Sequence, residues 1–276
     1  MLTSLRENDL RDFASQEEIA AATAYEELHV PALFQQWAPR VLEAAQIRSG
    51  HRVLDVACGT GIVAREAASR LGDEESVTGL DASSGMLAVA ERLAPAINWQ
   101  QGVAESLPFE DESFDAVVSQ FGLMFFEDRP KALAEMIRVL APGGWMAVAV
   151  WESLENSQAY PAEVALLEEL AGPRAADALR APFVLGDRQE LTTLFAGAGV
   201  VSVEINTHRG TARFPSIRTM VEADLRGWLP VRGVELSEDQ IELILSEADG
   251  VLAGFVESSG QVVFDSPAHI VTGRKP

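Results

Sequence analysis

Two acidic residues and two glycines are spaced as in a nucleoside site of an α/β sheet. Asp55 lies inside the apolar run 53–57, Gly59 and Gly61 follow it, and Asp81 ends the next apolar run. Glycines let a backbone approach a ligand where a Cβ would collide. A carboxylate at a strand tip can accept hydrogen bonds from two ribose hydroxyls. This order of strand, glycine turn, helix, strand and acid predicts a nucleoside site at the end of a parallel sheet.

The position of Asp55 distinguishes two kinds of nucleoside site. A dinucleotide site places a pyrophosphate on the helix N-terminus and uses a third glycine. Asp55 would put a negative charge beside that pyrophosphate, and the turn continues from Gly61 through 62–64 without a third glycine. The pattern therefore favours a nucleoside that carries positive charge. S-adenosylmethionine, with its sulfonium and its amino-acid tail, meets both conditions.

Four regions, in the expected order, together resemble one protein family. They are 53–61, 80–87, 102–109 with the strand 114–118 after it, and 138–144. The chain resembles the class I S-adenosylmethionine-dependent methyltransferases, and more narrowly the ubiquinone/menaquinone-biosynthesis type that acts on small molecules. The resemblance implies S-adenosylmethionine as cofactor and S-adenosylhomocysteine as product.

The same resemblance implies a set of cofactor-binding residues. Asp81 would hold the ribose hydroxyls, Asp55 would face the amino group of the cofactor, and Gly59 and Gly61 would cradle its amino-acid end. The full implied set is Asp55, Ala57, Cys58, Gly59, Thr60, Gly61, Asp81, Ala82, Met86, Val103, Ala104, Glu105 and Gln120.

Val103 departs from the family pattern. Relatives carry an acidic or amide side chain at this position, which binds the adenine amino group, and a valine cannot accept that hydrogen bond. Adenine recognition would then rest on the backbone of Val103 and Ala104, or on Glu105.

The methyl acceptor is expected to be small and largely apolar. The stretch 119–126 follows the fourth strand, where substrate meets cofactor in the resembled fold, and it is apolar and aromatic except for Ser119 and Gln120. The acceptor atom, carbon, oxygen or nitrogen, is left open. Because a methyl sulfonium is already electrophilic, the enzyme must mainly align a nucleophile, with a general base where a proton must leave. The catalytic residue is not identified, and the candidates are Tyr25, His29 and His208. No set of metal ligands is expected.

Alternating strands and helices over 52–151 predict a parallel α/β sheet. The resemblance implies a doubly wound, mostly parallel, seven-stranded Rossmann-like sheet, with N-terminal helices and a helical insertion near the C-terminus. The predicted organisation is a helical cap over 1–48, a cofactor-binding core over 49–152, and the remainder of the sheet over 153–276 with a helical lid near 215–255. Within the cap, helices are predicted over 17–28 and 32–45, with Pro31 in a first turn and Pro39 splitting the second helix. A helix is predicted to begin at 187–190 with an acidic version of the capping box and to end at 197–199. A strand follows it from 200 and is predicted to run on to Phe214.

The composition narrows the class of partner. With 42 acidic and 21 basic residues the formal net charge is −21, which disfavours nucleic acid because phosphate neutralisation drives such binding. A single cysteine, Cys58, excludes an internal disulfide, and no run of about 18 apolar residues predicts a membrane span. These features, with an acidic N-terminus that lacks a signal core, predict a cytoplasmic protein. The oligomeric state is not predicted.

Two other functions remain open at this point. One is a module that binds S-adenosylmethionine without catalysis. The other is an NAD(P)-dependent oxidoreductase, which Asp55 disfavours. The lack of a Tyr-x-x-x-Lys pair is a second argument against an oxidoreductase. The fourth residue after Tyr25 is His29 and the fourth after Tyr160 is Val164, so a lysine follows neither tyrosine at this spacing.

Overall fold

The computed structural model describes residues 14–276, which contain one large sheet and one small one. The large sheet has seven strands in the order β3-β2-β1-β4-β5-β9-β6, and β7 and β8 form a separate pair. β9 runs antiparallel to both of its neighbours, whereas β1 to β5 are parallel. The strands are β1 Val53–Val56, β2 Val77–Asp81, β3 Asn98–Gln101, β4 Phe114–Gln120, β5 Leu140–Trp151, β6 Val201–His208, β7 Thr211–Phe214, β8 Val262–Asp265 and β9 Ala268–Arg274. The predicted fold class is confirmed.

Helices cover both faces of this sheet, which explains why its central strands are continuous apolar runs. All four residues of β1 are buried, and 146–150 of β5 are fully buried. The α-helices are α1 Gln16–Ala24, α2 Ala38–Ala44, α3 Ile62–Leu71, α4 Ser84–Leu93, α5 Arg129–Val139, α6 Tyr160–Ala171, α7 Pro173–Arg180, α8 Arg188–Gly197, α9 Ile217–Ala223, α10 Leu229–Val231 and α11 Glu238–Val251. Two π-helical segments, Tyr25–Phe34 and Asp224–Trp228, continue α1 and α9.

The N-terminal helices differ in part from the prediction. Pro31 lies inside the π-helix Tyr25–Phe34 and not in a first turn. Because proline has no N–H to donate, a wider helical turn is one way for the chain to continue through it. Pro39 does split the helical region, since α2 begins at Ala38 with this proline in its first turn.

The C-terminal region also corrects two expectations. The strand predicted to reach Phe214 ends at His208, and β7 pairs instead with β8, a strand that was not predicted. The break falls at Gly210, where a Cβ would overlap the Trp37 ring and approach the backbone oxygen of Ser266. At the start of α8, Asp187 accepts hydrogen bonds from the backbone of 189 and 190, a simple aspartate cap. The reciprocal half of a capping box is found instead at Ser15 and Ser237.

An insertion separates the sixth and seventh strands of the large sheet. It runs from β7 to β8, and its ends are joined by the pairing of these two strands. Asp224 of the second π-helix, in this insertion, and Glu163 of α6, outside it, are both buried, with 6% and 0% exposure. Burial raises the pKa of the Asp224 carboxyl to about 7, and burial together with the charge of Asp224 raises that of Glu163 well above its usual value. The two carboxyl groups therefore hold at least one proton near neutral pH.

Within the described part of the chain, the helices are all too short or too polar to cross a lipid bilayer.

Candidate functional site

The strand order places a crevice beside β1. The sheet continues from β1 to β2 on one side and to β4 on the other, and in such sheets ligands bind outside the carboxyl ends of the strands where the order reverses. Asp55 lies in β1, Asp81 ends β2 and Gln120 ends β4, so the fold brings these three predicted residues to one edge.

The turn after β1 has an unusual backbone. Ala57 has φ +57°, and Gly59 and Gly61 have φ +56° and +86°. The left-handed region is costly for alanine, and such strain concentrates at functional sites. Hydrogen bonds hold the turn in place, with the Cys58 N–H donating to Leu80 O at 3.0 Å and the Gly61 N–H donating to Cys58 O at 2.9 Å.

The two glycines of this turn have different neighbours. A Cβ on Gly59 would meet no atom within 4 Å, so the space beside it is open. A Cβ on Gly61 would overlap the Trp99 ring of β3. The packing of Trp99 is thus a second reason for a glycine at position 61, beside the cofactor contact that the sequence predicts for it.

Asp55 is a buried acid with one oxygen unused. Its side chain is 1% exposed, and Oδ2 accepts a hydrogen bond from the Ala64 N–H at 3.1 Å. Oδ1 has no hydrogen-bond partner among residues 14–276. Burial raises the pKa of this carboxyl to about 8, and the nearby charge of Asp81 adds to the shift. A buried acceptor of this kind is suited to a cationic donor.

Asp81 connects the end of β2 to the glycine turn. Its Oδ2 accepts a hydrogen bond from the Gly59 N–H at 2.8 Å, and its Oδ1 accepts one from the Ser83 N–H at 2.9 Å. Burial raises the pKa of this carboxyl, against the effect of these N–H groups. Each carboxylate oxygen has a second lone pair, so both can still accept a hydrogen bond from a ligand hydroxyl.

In the predicted adenine loop, backbone groups are more available for binding than side chains are. Val103 is 49% exposed, Ala104 is 4% exposed, and Glu105 uses Oε1 to accept from the backbone N–H groups of Glu127 and Asp128. After β2, the side chain of Ala82 is exposed and that of Met86, in α4, is half-buried.

Part of the predicted N-terminal cap contacts the glycine turn at the carboxyl edge, through a residue that the sequence did not assign to the site. We call residues 15–34, which comprise the Ser15 cap, α1 and the first π-helix, the roof segment. Its Glu26 accepts hydrogen bonds from Thr60 Oγ1 at 2.6 Å and from the Arg65 guanidinium at 2.7 Å. No spacing or motif in the sequence links Glu26 to the turn at 59–61, because the contact joins positions 34 and 39 residues apart.

Aromatic rings form the site beyond β4. Phe121 has φ +57° and stacks on Trp151 of β5, with ring centroids 3.8 Å apart. Phe34 of the roof segment lies 5.6 Å from Phe121 and 6.0 Å from Trp151. Gln120 donates a hydrogen bond to Phe34 O at 3.2 Å, and its Oε1 is buried with no partner within the described chain. The predicted apolar surface after β4 is therefore extended by Phe34 and Trp151, which sequence reasoning missed.

The three catalytic candidates do not lie together. His208 ends β6, four strands from β1, which at the usual strand spacing is about 19 Å. Tyr25 and His29 both lie in the roof segment, with ring centroids 5.5 Å apart. Burial lowers the pKa of His29 to about 4, and its Nδ1 has no hydrogen-bond partner in the region described. Burial, followed by the charges of Asp81 and Glu26, raises the pKa of Tyr25, so its hydroxyl can donate but not act as a base near neutral pH.

These residues fit S-adenosylmethionine. Asp55 supplies an unused buried acceptor suited to an ammonium group, and Asp81 can accept from ribose hydroxyls at the neighbouring strand end. Open space adjoins Gly59 between them. Among the described residues no group of three or more His, Cys, Asp or Glu side chains is placed to hold a metal ion.

The comparisons with known proteins agree with this geometry. The family model described as "Methyltransferase domain" matches residues 54–148. A demethylmenaquinone methyltransferase of Staphylococcus carnosus is 34% identical over 206 residues, covering 68% of this chain and 85% of the relative. A 2-phytyl-1,4-naphtoquinone methyltransferase of Thermosynechococcus vestitus is 36% identical over 119 residues, covering 42% of this chain and 53% of the relative.

A solved structure extends the likeness to almost the whole fold. The Haemonchus contortus phosphoethanolamine N-methyltransferase 2, solved in complex with S-adenosyl-L-methionine, superposes with a TM-score of 0.60 at 20% identity. The match covers 98% of this chain and 61% of that one. With the family match and the Staphylococcus relative, the expected fold, cofactor and reaction are confirmed. The chain belongs to the class I S-adenosylmethionine-dependent methyltransferases of the ubiquinone/menaquinone-biosynthesis type, and it transfers a methyl group from S-adenosylmethionine to a small molecule.

Proposed function

We propose that the methyl acceptor is a quinone-class aromatic molecule presented in its reduced, dihydroxy form. The observation that carries the proposal is the cluster of aromatic rings at the end of β4 and β5, where the buried Phe121 stacks on the buried Trp151 and Phe34 lies against both. Flat apolar rings of this kind suit a flat aromatic ligand. The relatives named for demethylmenaquinone and 2-phytyl-1,4-naphtoquinone support the same class.

The reduced form is proposed on chemical grounds. Bound S-adenosylmethionine supplies an electrophilic methyl group, so the acceptor must be a nucleophile. A quinone ring is itself electron-poor, whereas the ring and the oxygens of a dihydroxy form are electron-rich. Removing the proton of one hydroxyl group makes both the ring and the oxygen more nucleophilic. A general base can accept this proton.

We propose His29 as this base. The imidazole is neutral near neutral pH, because burial lowers its pKa to about 4, and Nδ1 has no other partner in residues 14–276. Such a weak base would take the hydroxyl proton only as the methyl group is transferred, when the hydroxyl becomes acidic. His29 lies on the roof segment with its ring 5.5 Å from that of Tyr25, and Phe34 of the same segment packs against Phe121. Tyr25, which stays protonated, would act as a hydrogen-bond donor. The position of His208 on β6 argues against a role for it.

For the cofactor, the proposed roles follow the chemistry of each group. Asp55 would bind the amino group, Asp81 the ribose hydroxyls, and the backbone of Val103 and Ala104 the adenine. The other proposed contacts come from the glycine turn, from the residues after β2, from the adenine loop and from the end of β4: Ala57, Cys58, Gly59, Thr60, Gly61, Ala82, Met86, Glu105 and Gln120.

We propose the same domain organisation that the sequence predicts. The cap at 1–48, of which 14–48 are described, would cover the cofactor, and the core at 49–152 would bind it. In the remainder, 153–276, the helical insertion near 215–255 would act as a lid. Trp228 of this insertion lies 5.1 Å from Phe125, just after β4, which supports a position over the acceptor. We further propose a cytoplasmic location and no nucleic-acid partner, in keeping with the charge of −21.

The test is a methyl-transfer assay under reducing conditions. Purified protein is incubated with S-adenosylmethionine and a 1,4-naphthohydroquinone that carries a short side chain, and the product is analysed by mass spectrometry and NMR. We expect one added methyl group, and NMR will identify the acceptor atom. The oxidised quinone serves as the matched control. Equal transfer to the oxidised form would contradict the reduced-ring proposal, and no transfer to any reduced naphthoquinone or benzoquinone would reject the acceptor class.

A further inference from the structure

We propose that Glu26 is a positioning residue for cofactor binding, which latches the roof segment onto the glycine turn. The inference rests on the proposed cofactor site and adds to it a group that the sequence did not assign. In the proposed arrangement the cofactor binds and leaves when the latch is open and is retained when it is closed.

Both carboxylate oxygens of Glu26 are used by the turn and its helix. Oε2 accepts from Thr60 Oγ1 at 2.6 Å, and Oε1 accepts from the Arg65 guanidinium at 2.7 Å. Arg65 Nε in addition donates to Gly61 O at 3.3 Å. Glu26 therefore binds the residue between the two glycines and the first turn of α3 at the same time.

The surroundings strengthen these contacts. Thr60 is 1% exposed, and the side chains of Glu26 and Arg65 are 18% and 24% exposed. Hydrogen bonds to a charged group in partly buried surroundings are stronger than those between neutral groups at the surface. The contact thus differs from the exposed ion pairs of this chain, which contribute little to the stability of the fold.

A second contact anchors the other end of the roof segment. α1 packs on α4 so closely that a Cβ on Gly85 would overlap the backbone of Glu18. The roof segment is therefore attached on the β2 side through Gly85 and on the β1 side through Glu26. It spans the crevice between the carboxyl ends of these two strands.

The latch has a direct consequence for Tyr25, the residue before Glu26. Burial, followed by the charges of Asp81 and Glu26, raises the pKa of the Tyr25 hydroxyl, so this group stays protonated near neutral pH. Its ring is held by His29 at 5.5 Å and by Phe34 at 5.4 Å. A protonated hydroxyl can donate a hydrogen bond, and the contacts of Glu26 fix the part of the roof segment that carries it.

The experiment measures release of S-adenosylhomocysteine by stopped-flow displacement, with the full chain, for the wild type and for Glu26→Ala, Glu26→Gln and Glu27→Ala. Loss of two charge-assisted hydrogen bonds is expected to raise the dissociation rate of Glu26→Ala about tenfold or more. Glu26→Gln keeps an acceptor for Thr60 and should give an intermediate rate. Glu27 is exposed and serves as the matched control, with an unchanged rate.

Two further measurements keep the test decisive if Glu26→Ala folds poorly. Thr60→Val removes only the hydroxyl that donates to Glu26, whereas Thr60→Ser retains it, so release should be faster in the first than in the second. Hydrogen exchange in residues 15–34 should slow when S-adenosylhomocysteine binds to the wild type and should slow less in Glu26→Gln. A purely structural role would lower the thermal stability of these variants and leave the release rate unchanged.

The possible results distinguish failure of the latch from failure of the proposed cofactor site. If the wild type binds S-adenosylhomocysteine and the Glu26 and Thr60 variants release it at the wild-type rate, the latch is rejected and the cofactor site stands. If the wild type does not bind S-adenosylhomocysteine, the cofactor site itself is rejected.

Discussion

Cofactor binding should depend on pH through Asp55. In the cofactor-free protein, burial raises the pKa of this carboxyl to about 8, so it is mostly protonated near neutral pH. The proposed partner is an ammonium group, which requires the ionised form. Binding should therefore release a proton from Asp55, and the apparent dissociation constant should fall as the ionised fraction grows.

The size of the effect follows from that pKa. A group with a pKa of about 8 is ionised to about 1% at pH 6 and to about 24% at pH 7.5, so affinity should rise about 20-fold over this interval. The amino group of a free amino acid loses its proton at higher pH than a peptide α-amino group, whose pKa is about 8, because its own ionised carboxylate lies next to it. The ligand charge is therefore nearly constant.

Isothermal titration calorimetry with S-adenosylhomocysteine measures both quantities. Titrations at the two pH values give the change in affinity, and buffers with different ionisation enthalpies give the number of protons released. Asp55→Asn provides the control, because an amide has no charge to titrate and its affinity should be lower and nearly independent of pH.

An affinity that is constant in the wild type between these pH values would refute the reasoning. The same pH dependence in Asp55→Asn would assign the proton to another group, of which Asp81 is the first candidate, since burial raises its pKa as well.

The remaining predictions concern packing, catalysis and the buried carboxyl pair. Gly61→Ala combines a Cβ that overlaps Trp99 with φ +86°, and we expect a loss of more than about 2 kcal/mol in the free energy of unfolding, measured by chemical denaturation. His29→Phe should lower turnover of a reduced quinone by about 100-fold and leave S-adenosylhomocysteine affinity within about twofold, with imidazole restoring part of the activity in His29→Ala. The folded-state pKa of Asp224 lies above its unfolded value, so the stability associated with this group is full below about pH 4 and is lost as pH rises through about 7. Burial and the charge of Asp224 raise the pKa of Glu163 as well, so its carboxyl must bind a proton on folding at pH values above its ordinary pKa. Glu163→Gln removes that requirement and should raise the midpoint of thermal unfolding at pH 8 more than at pH 5, and an equal shift at both would contradict the shared-proton interpretation.

Local sequence patterns predicted the core of the fold. The strands and helices between 52 and 151 agree with the prediction to within a few residues, because each is a short buried run or an amphipathic segment bounded by its own cap or glycine. Errors occurred where a tertiary contact overrides the local pattern. β6 ends just before Gly210, where the Trp37 ring occupies the space that a side chain would need. β7 then pairs with β8, which lies about 50 residues further along the chain.

The sequence also predicted the cofactor motif. Asp55, the glycine turn and Asp81 lie within one strand–helix–strand unit, whose geometry depends on local backbone chemistry. Only the tertiary structure shows that Gly61 accommodates Trp99, that Glu26 binds Thr60 and Arg65, and that Phe34 meets Phe121 and Trp151. It is likewise the tertiary structure that buries Glu163 against Asp224. The physical reason is the same in each case. A turn and a strand are determined by neighbours along the chain, whereas a contact between residues tens of positions apart depends on how whole elements pack, and nothing in either residue's local sequence specifies its partner.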